Sequence, residues 1–199
     1  MTSKVAILAA IRKHPLPPRP LPELNQAWIE YHDRPRQFAE MLESVGGHCR
    51  FVENRAAIDA ALDEAPAYRE AKKIVSLAEG IGRGNVDLNE IADPHDLEDL
   101  DFAILPGCFA VAENGAVWMT DMGVKHRAVA FIAQHLALVL PANEIVDNMH
   151  QAYQRLEFEQ SGFGVFISGP SKTADIEQSL VIGAHGPRSL TVFCVQSPH

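Results

Sequence analysis

The chain has 199 residues, 47% of them hydrophobic and 22% charged, and its 17 Lys and Arg against 26 Asp and Glu give a net charge of −9. Such proportions belong to a folded globular protein with room for one ordinary domain and a sizeable core, not for two. No basic stripe could neutralise a row of phosphates, which argues against nucleic acid and against an anionic membrane surface as partners.

The opening MTSKVAILAAIRKHP has helical spacing over residues 3–14, with Val5, Leu8 and Ala9 on one stripe. Its apolar run is short and interrupted, unlike a signal peptide, and no run in the sequence approaches the length that spans a bilayer. Cys49, Cys108 and Cys194 stand far apart, without the close spacing of zinc or iron-sulfur ligands. A reduced, cytoplasmic protein is expected. The segment HPLPPRPLP, His14 to Pro22, must be extended, as a spacer or a packed strap. A second, longer helix is expected from about Leu24 to Val45, where Trp28, Tyr31, Phe38, Met41, Leu42 and Val45 recur at helical intervals, with Gly46-Gly47 ending it. Its aromatics read as core packing.

From Gly47 onward, short apolar strands (HCRFV, KIVSLA, DFAIL, AVWMT, LALVLP, GVFIS, LTVFCV) interleave with helical segments, among them RAAIDAALDEA, EIVDNMHQAYQRL and TADIEQSLVIG. This alternation predicts a three-layer α/β/α domain over 47–199, its mainly parallel sheet covered on both faces, preceded by an N-terminal helical extension over 1–46. Ligands of such sheets sit outside the carboxyl ends of the strands, so the loops there are the places to inspect.

The loop after GVFI reads Ser168-Gly169-Pro170-Ser171-Lys172-Thr173. At the start of a helix, free backbone N–H groups, the hydroxyls of Ser171 and Thr173 and the Lys172 ammonium would suit a phosphate or carboxylate. Equally, Ser171 or Thr173 would serve as a simple N-cap. The loop is not a nucleotide P-loop, because Phe166 and Ser171 occupy the positions of its two glycines. Gly183-Ala184-His185-Gly186-Pro187-Arg188 holds His185 on a short stiff turn, as an acid-base group or as a surface residue, at the sheet end expected to lie opposite the GPSKT turn. In DFAILPGCFAVAENGAVWMTD, Asn114-Gly115 is a hairpin signal that leaves Glu113 without a turn role; partly buried, that carboxylate would be a nucleophile or general base with a raised pKa. Glu79 to Asn85 carries spaced glycines but no following Rossmann helix, and reads as a flexible loop. Lys125-His126-Arg127 is either a contributor to an anion pocket or a solvated surface. The nine histidines lack HExxH or comparable spacing, so no metal is expected.

Phe166 to Val195, FISGPSKTADIEQSLVIGAHGPRSLTVFCV, together with LALVLPANEIVDN, resembles the lactate utilization protein C family, the LUD domain, and the resemblance runs from about Phe102 to the end, with the N-terminal helix ILAAIRK also present. It implies a fold related to ribose-5-phosphate isomerase, glucosamine-6-phosphate deaminase and CoA transferases. It implies a role in oxidising L-lactate to pyruvate beside partner subunits that carry the iron-sulfur clusters, which this chain lacks the cysteines to hold. Where the family has Glu-Thr-Gly-Thr, this chain has Glu113-Asn114-Gly115-Ala116, closer to the Glu-Asn-Gly of class I CoA transferases, whose glutamate forms an acyl thioester. Two functions are therefore expected to compete with a non-catalytic binding module. One is a lactate-system subunit binding a small anion through Ser168, Gly169, Ser171, Lys172, Thr173, Gly115 and His185; the other is an acyl-handling enzyme with Glu113 as nucleophile.

Overall fold

The computed structural model describes residues 3–14, 17–24, 26–156, 162–173 and 181–196. The first helix, α1 (Ser3–Arg12), has no buried residue, and residues 17–24, the described part of the proline-rich strap that follows, are exposed. The next helix, α2 (Arg34–Ser44), is shorter than its periodicity predicts. Asp33 caps it by accepting from the Arg36 N–H, and Pro35 in its first turn has no N–H to continue a helix backward. Residues 26–33 instead run as a tied strap: Trp28 stacks on the His150 ring at 3.4 Å, and Tyr31 N–H donates to Asp147 Oδ1 at 2.8 Å. Trp28 and Tyr31 are thus half-buried cover, while Phe38 and Leu42, one turn apart on α2, are the residues that enter the core.

Beyond the Gly46-Gly47 turn come β1 (His48–Val52), α3 (Arg55–Glu64), α4 (Pro66–Arg69) and β2 (Ile74–Ser76). After a long loop the chain forms β3 (Phe102–Pro106), then a hairpin of β4 (Phe109–Val111) and β5 (Ala116–Thr120), a single turn α5 (Val129–Ile132) and β6 (His135–Pro141). It closes with β7 (Ile145–Val146), α6 (Met149–Gln154), β8 (Gly164–Ile167) and β9 (Ser189–Val195). The helix expected from EIVDN starts late because Asn148 caps it, accepting from Gln151 N–H, and Ile145-Val146 pairs with β4 instead.

Five strands in the order β1-β9-β6-β3-β2 form an all-parallel sheet. Side chains alternate between its faces with period 2. Ile74, Phe102, Ile104, Ala137, Phe193 and Val195 meet Ile58 and Leu62 of α3 and Tyr68 of α4 on one face. Val75, Ala103, Leu105, Leu136, Leu138 and Val192 point the other way, into the larger cluster. That second face is where the expected helical layer differs from the structure. It is covered by α2 and by a four-stranded mixed sheet, β7-β4-β5-β8, whose Ala110, Val117, Met119 and Ile145 complete the cluster. GVFI, which reads like another parallel strand, lies in this small sheet, antiparallel to β5. The architecture is a mixed α/β fold with a mainly parallel sheet. No helix among the described residues is long and apolar enough to cross a membrane.

Candidate functional site

The β4–β5 hairpin confirms the turn reading of Asn114-Gly115. Asn114 Oδ1 accepts from Ala116 N–H at 3.1 Å, and Gly115 takes a φ of +65° and donates to Val111 O at 3.0 Å. A Cβ on Gly115 would lie 2.7 Å from the backbone nitrogen of Leu42, so only glycine lets this turn press against α2. Glu113 is exposed, so the condition of partial burial that would raise its pKa is not met; the hairpin turns its side chain away from the core. Its Oε2 accepts from Met149 N–H at 2.8 Å, at the first turn of α6, and its own N–H donates to Asp147 O. The carboxylate is therefore oriented by the α6 backbone and open to solvent.

Ser168 comes to the same place, since antiparallel pairing of β8 with β5 brings it beside the hairpin turn. Its hydroxyl donates to Asn114 O at 2.8 Å. Gly169, at a φ of +77°, sits where a Cβ would be 2.6 Å from Val45 O, and Pro170 is buried against Gly46. The strand then continues as a ribbon. Ser171 N–H donates to Pro187 O and its carbonyl accepts from Gly183 N–H, Lys172 bridges Ile182, and Thr173 Oγ1 accepts from Val181 N–H at 3.1 Å. The helix expected over Thr173–Gly183 falls mainly on residues 174–180, outside the described residues; Val181, which follows them, is exposed.

This ribbon corrects two expectations about place. The Gly183–Arg188 turn does not lie opposite the GPSKT loop but against it: a Cβ on Gly186 would be 2.9 Å from that of Ser171, and exposed His185 is its neighbour in the chain. Both loops also sit at the amino ends of the parallel strands. Ser171 bonds Pro187 just before β9, Arg188 N–H donates to Gln134 O just before β6, and Gly169 rests on Val45 just before β1. They reach that end because β8 belongs to the small sheet. The structure thus gathers the Glu113 turn with Ser168, and Ser171 with the His185 turn, while the Lys172 side chain is exposed along the ribbon.

Sequence reading passed over Asp147 and Asn148, which are buried polar residues. Asp147 accepts from Tyr31 N–H, and Asn148 Nδ2 donates to Ile29 O at 2.7 Å, so together they fasten the strap beside Glu113. An Asx residue directly before a helix was the available signal.

The other loops singled out are tied down. Gly82 N–H donates to Asp59 Oδ1, Arg83 N–H to the Tyr68 hydroxyl at 2.6 Å, and Asn85 brackets Ile74 N–H and Lys72 O. Lys125 donates to Asn89 O and Ile91 O, and Arg127 pairs with Asp121, so this basic cluster stays apart from the Ser168–Thr173 loop. Cys49 and Cys194, 145 residues apart, meet on neighbouring strands with their Sγ atoms 3.9 Å apart; the contact with Cys49 and burial push the Cys194 thiol well above its ordinary pKa. Among the described residues no group of three or more His, Cys, Asp or Glu is arranged to hold a metal.

A parallel sheet backed by a small mixed sheet, with polar loops fixed on glycines at one end, defines an α/β protein whose candidate site is made of loop residues. The chain belongs to the LUD domain family, whose model matches residues 94–195, just over half of its length. It is 31% identical over 150 residues to Lactate utilization protein C of Shouchella clausii, covering 65% of each chain. To Lactate utilization protein C of Geobacillus kaustophilus it is 32% identical over 139 residues, 67% of this chain and 54% of that protein. The chain thus spans between about half and two thirds of these curated relatives. The crystal structure of a DUF162 family protein from Deinococcus radiodurans is similar in fold, with a TM-score of 0.58 at 17% identity, covering 81% of this chain and 96% of that one.

Proposed function

We propose that the chain is a cytoplasmic, non-redox subunit of a lactate-oxidising system, working beside iron-sulfur partner subunits. Its loop cluster would bind a small carboxylate or a phosphate-bearing ligand through Ser168, Gly169, Ser171, Lys172 and Thr173, with Gly115 and His185 alongside. The observation that carries this reading is the match to proteins named Lactate utilization protein C, with the LUD domain model matching residues 94–195, which include both loop motifs. The approach of the Glu113 hairpin to Ser168, and of Ser171 to the His185 turn, supports a common ligand. Native mass spectrometry of the protein purified from its host tests the proposal. A complex with cysteine-rich, iron-containing subunits is expected, and a chain recovered alone or with unrelated proteins sinks it.

A second reading rests on Glu113, whose exposed carboxylate is held by the Met149 N–H. In a CoA-transferase-like fold it would react with an acyl-CoA to give a glutamyl-CoA thioester and the free carboxylate of the acyl group. Incubation with a set of acyl-CoAs should then give a mass adduct on the wild-type protein that Glu113→Gln lacks. Anion binding with no adduct and no turnover would leave a ligand-binding module.

A further inference from the structure

We propose that the carboxyl end of β2 carries a separate binding site for a small polyhydroxylated acid, a compound joining one carboxylate or phosphate group to neighbouring hydroxyls. A cavity of about 390 Å³ opens there, walled by Ser76 and Leu77 at the end of the strand, by residues 84–89, and by Gly123 and Lys125. At about 30 Å³ per water in the liquid, it has the volume of roughly a dozen waters, within the range of small-molecule sites. It lies at the carboxyl end of the edge strand β2, the sheet end at which parallel α/β sheets hold ligands. Glu113, Ser168–Thr173 and His185 take no part in its walls.

Two oppositely charged side chains define the ligand. The Lys125 ammonium is anchored by donating to Asn89 O and Ile91 O, both at 2.8 Å, and an ammonium carries a third N–H. Asp87 accepts from Asn89 N–H at 2.9 Å and from Asn89 Nδ2 at 3.0 Å through the same oxygen, Oδ1, which leaves Oδ2 as an acceptor. Both residues line the cavity, yet no ion pair joins them among the described residues. A ligand between them meets a fixed cation and, apart from it, a fixed anion. The cation selects an acidic group. The carboxylate repels that group and accepts from a donor, which the hydroxyls of such an acid present at a point apart from the acidic group. Because both side chains are held by the 85–91 loop, little ordering is needed on binding.

The test is a titration of the isotopically labelled full chain with D-gluconate, followed through its backbone amide resonances, with sorbitol and inorganic phosphate as comparators. Gluconate should shift the amides of Gly84, Asn89 and Gly123 saturably, more strongly than sorbitol or phosphate alone. Asp87→Asn keeps an oxygen for Asn89 but turns the second acceptor into a donor, and should weaken gluconate about tenfold. Lys125→Met should weaken it comparably, and Asp87→Asn keeps the test open if that variant unfolds. The proposal is overturned if gluconate leaves those amides unmoved, moves only Ser168–Thr173 and His185, binds Asp87→Asn equally well, or does no better than phosphate.

Discussion

The two ends of the parallel sheet are held by opposite means. At the amino end, the Glu113 hairpin and the Ser168 loop are fixed by backbone pressed on backbone, with Gly115 against Leu42 and Gly169 against Val45. Glu113, Lys172 and His185 remain exposed, largely free of structural duty. At the carboxyl end, the 79–91 loop is fixed by side chains: Tyr68, Asn85, Asp87 and Lys125 spend hydrogen bonds on it, and the last three line a cavity. Close main-chain packing leaves functional groups available. Side-chain tethering yields a shaped space whose charged walls are already oriented.

The sharpest way to break this contrast is a methyl group at each end. Gly115→Ala combines a positive φ with a Cβ 2.7 Å from Leu42 N, and should destabilise by about 3 kcal/mol or more in urea unfolding. Gly123→Ala, at a φ of +74° with nothing within 4 Å, should cost only about 1 kcal/mol. Equal losses would mean that crowding does not distinguish the ends.

Removing the buried Tyr68 hydroxyl by Tyr68→Phe orphans Arg83 N–H, and should cost about 1–2 kcal/mol while speeding hydrogen exchange at the Arg83 amide. Unchanged exchange would refute tethering of the loop by that side chain.

A smaller effect concerns His135, at the amino end of β6, whose Nδ1 lies 2.8 Å from Ser189 Oγ. Burial first, and the Arg188 charge second, lower its pKa below the ordinary 6.5. The folded protein therefore binds this proton less readily than the unfolded chain. The stabilisation is complete above the ordinary value and is lost as pH falls through the lowered one. The urea midpoint should fall on acidification from about pH 7.5 to about pH 5, and His135→Gln should flatten that part of the curve.

Least of all should Glu113→Gln matter to folding, with a change within about 0.5 kcal/mol, since the residue is exposed and an amide oxygen still accepts from Met149 N–H. A large loss of stability would mark Glu113 as a structural cap of α6.

Much of the framework was legible because apolar alternation is local. HCRFV, DFAIL, LALVLP and LTVFCV are parallel strands as their pattern predicts, and Asn-Gly marks a hairpin. GVFI has the same local pattern and belongs elsewhere, because pairing partners are chosen by distant residues. The long helix expected from Leu24 begins only at Arg34, because Asp33 caps it, Pro35 sits in its first turn, and the preceding strap finds Asp147 and Asn148 over 110 positions away.

The sequence alone determined most of the strands, though not β4 or β7, the Asn-Gly turn, and the LUD signature, since each depends on short-range sterics and periodicity. Only the tertiary structure decided that the signature loops meet at the amino ends of the sheet, that Glu113 faces water, and that Asp87 and Lys125 share a cavity. Those facts follow from strand pairing and chain packing over long separations, whose free energy no local window of residues contains.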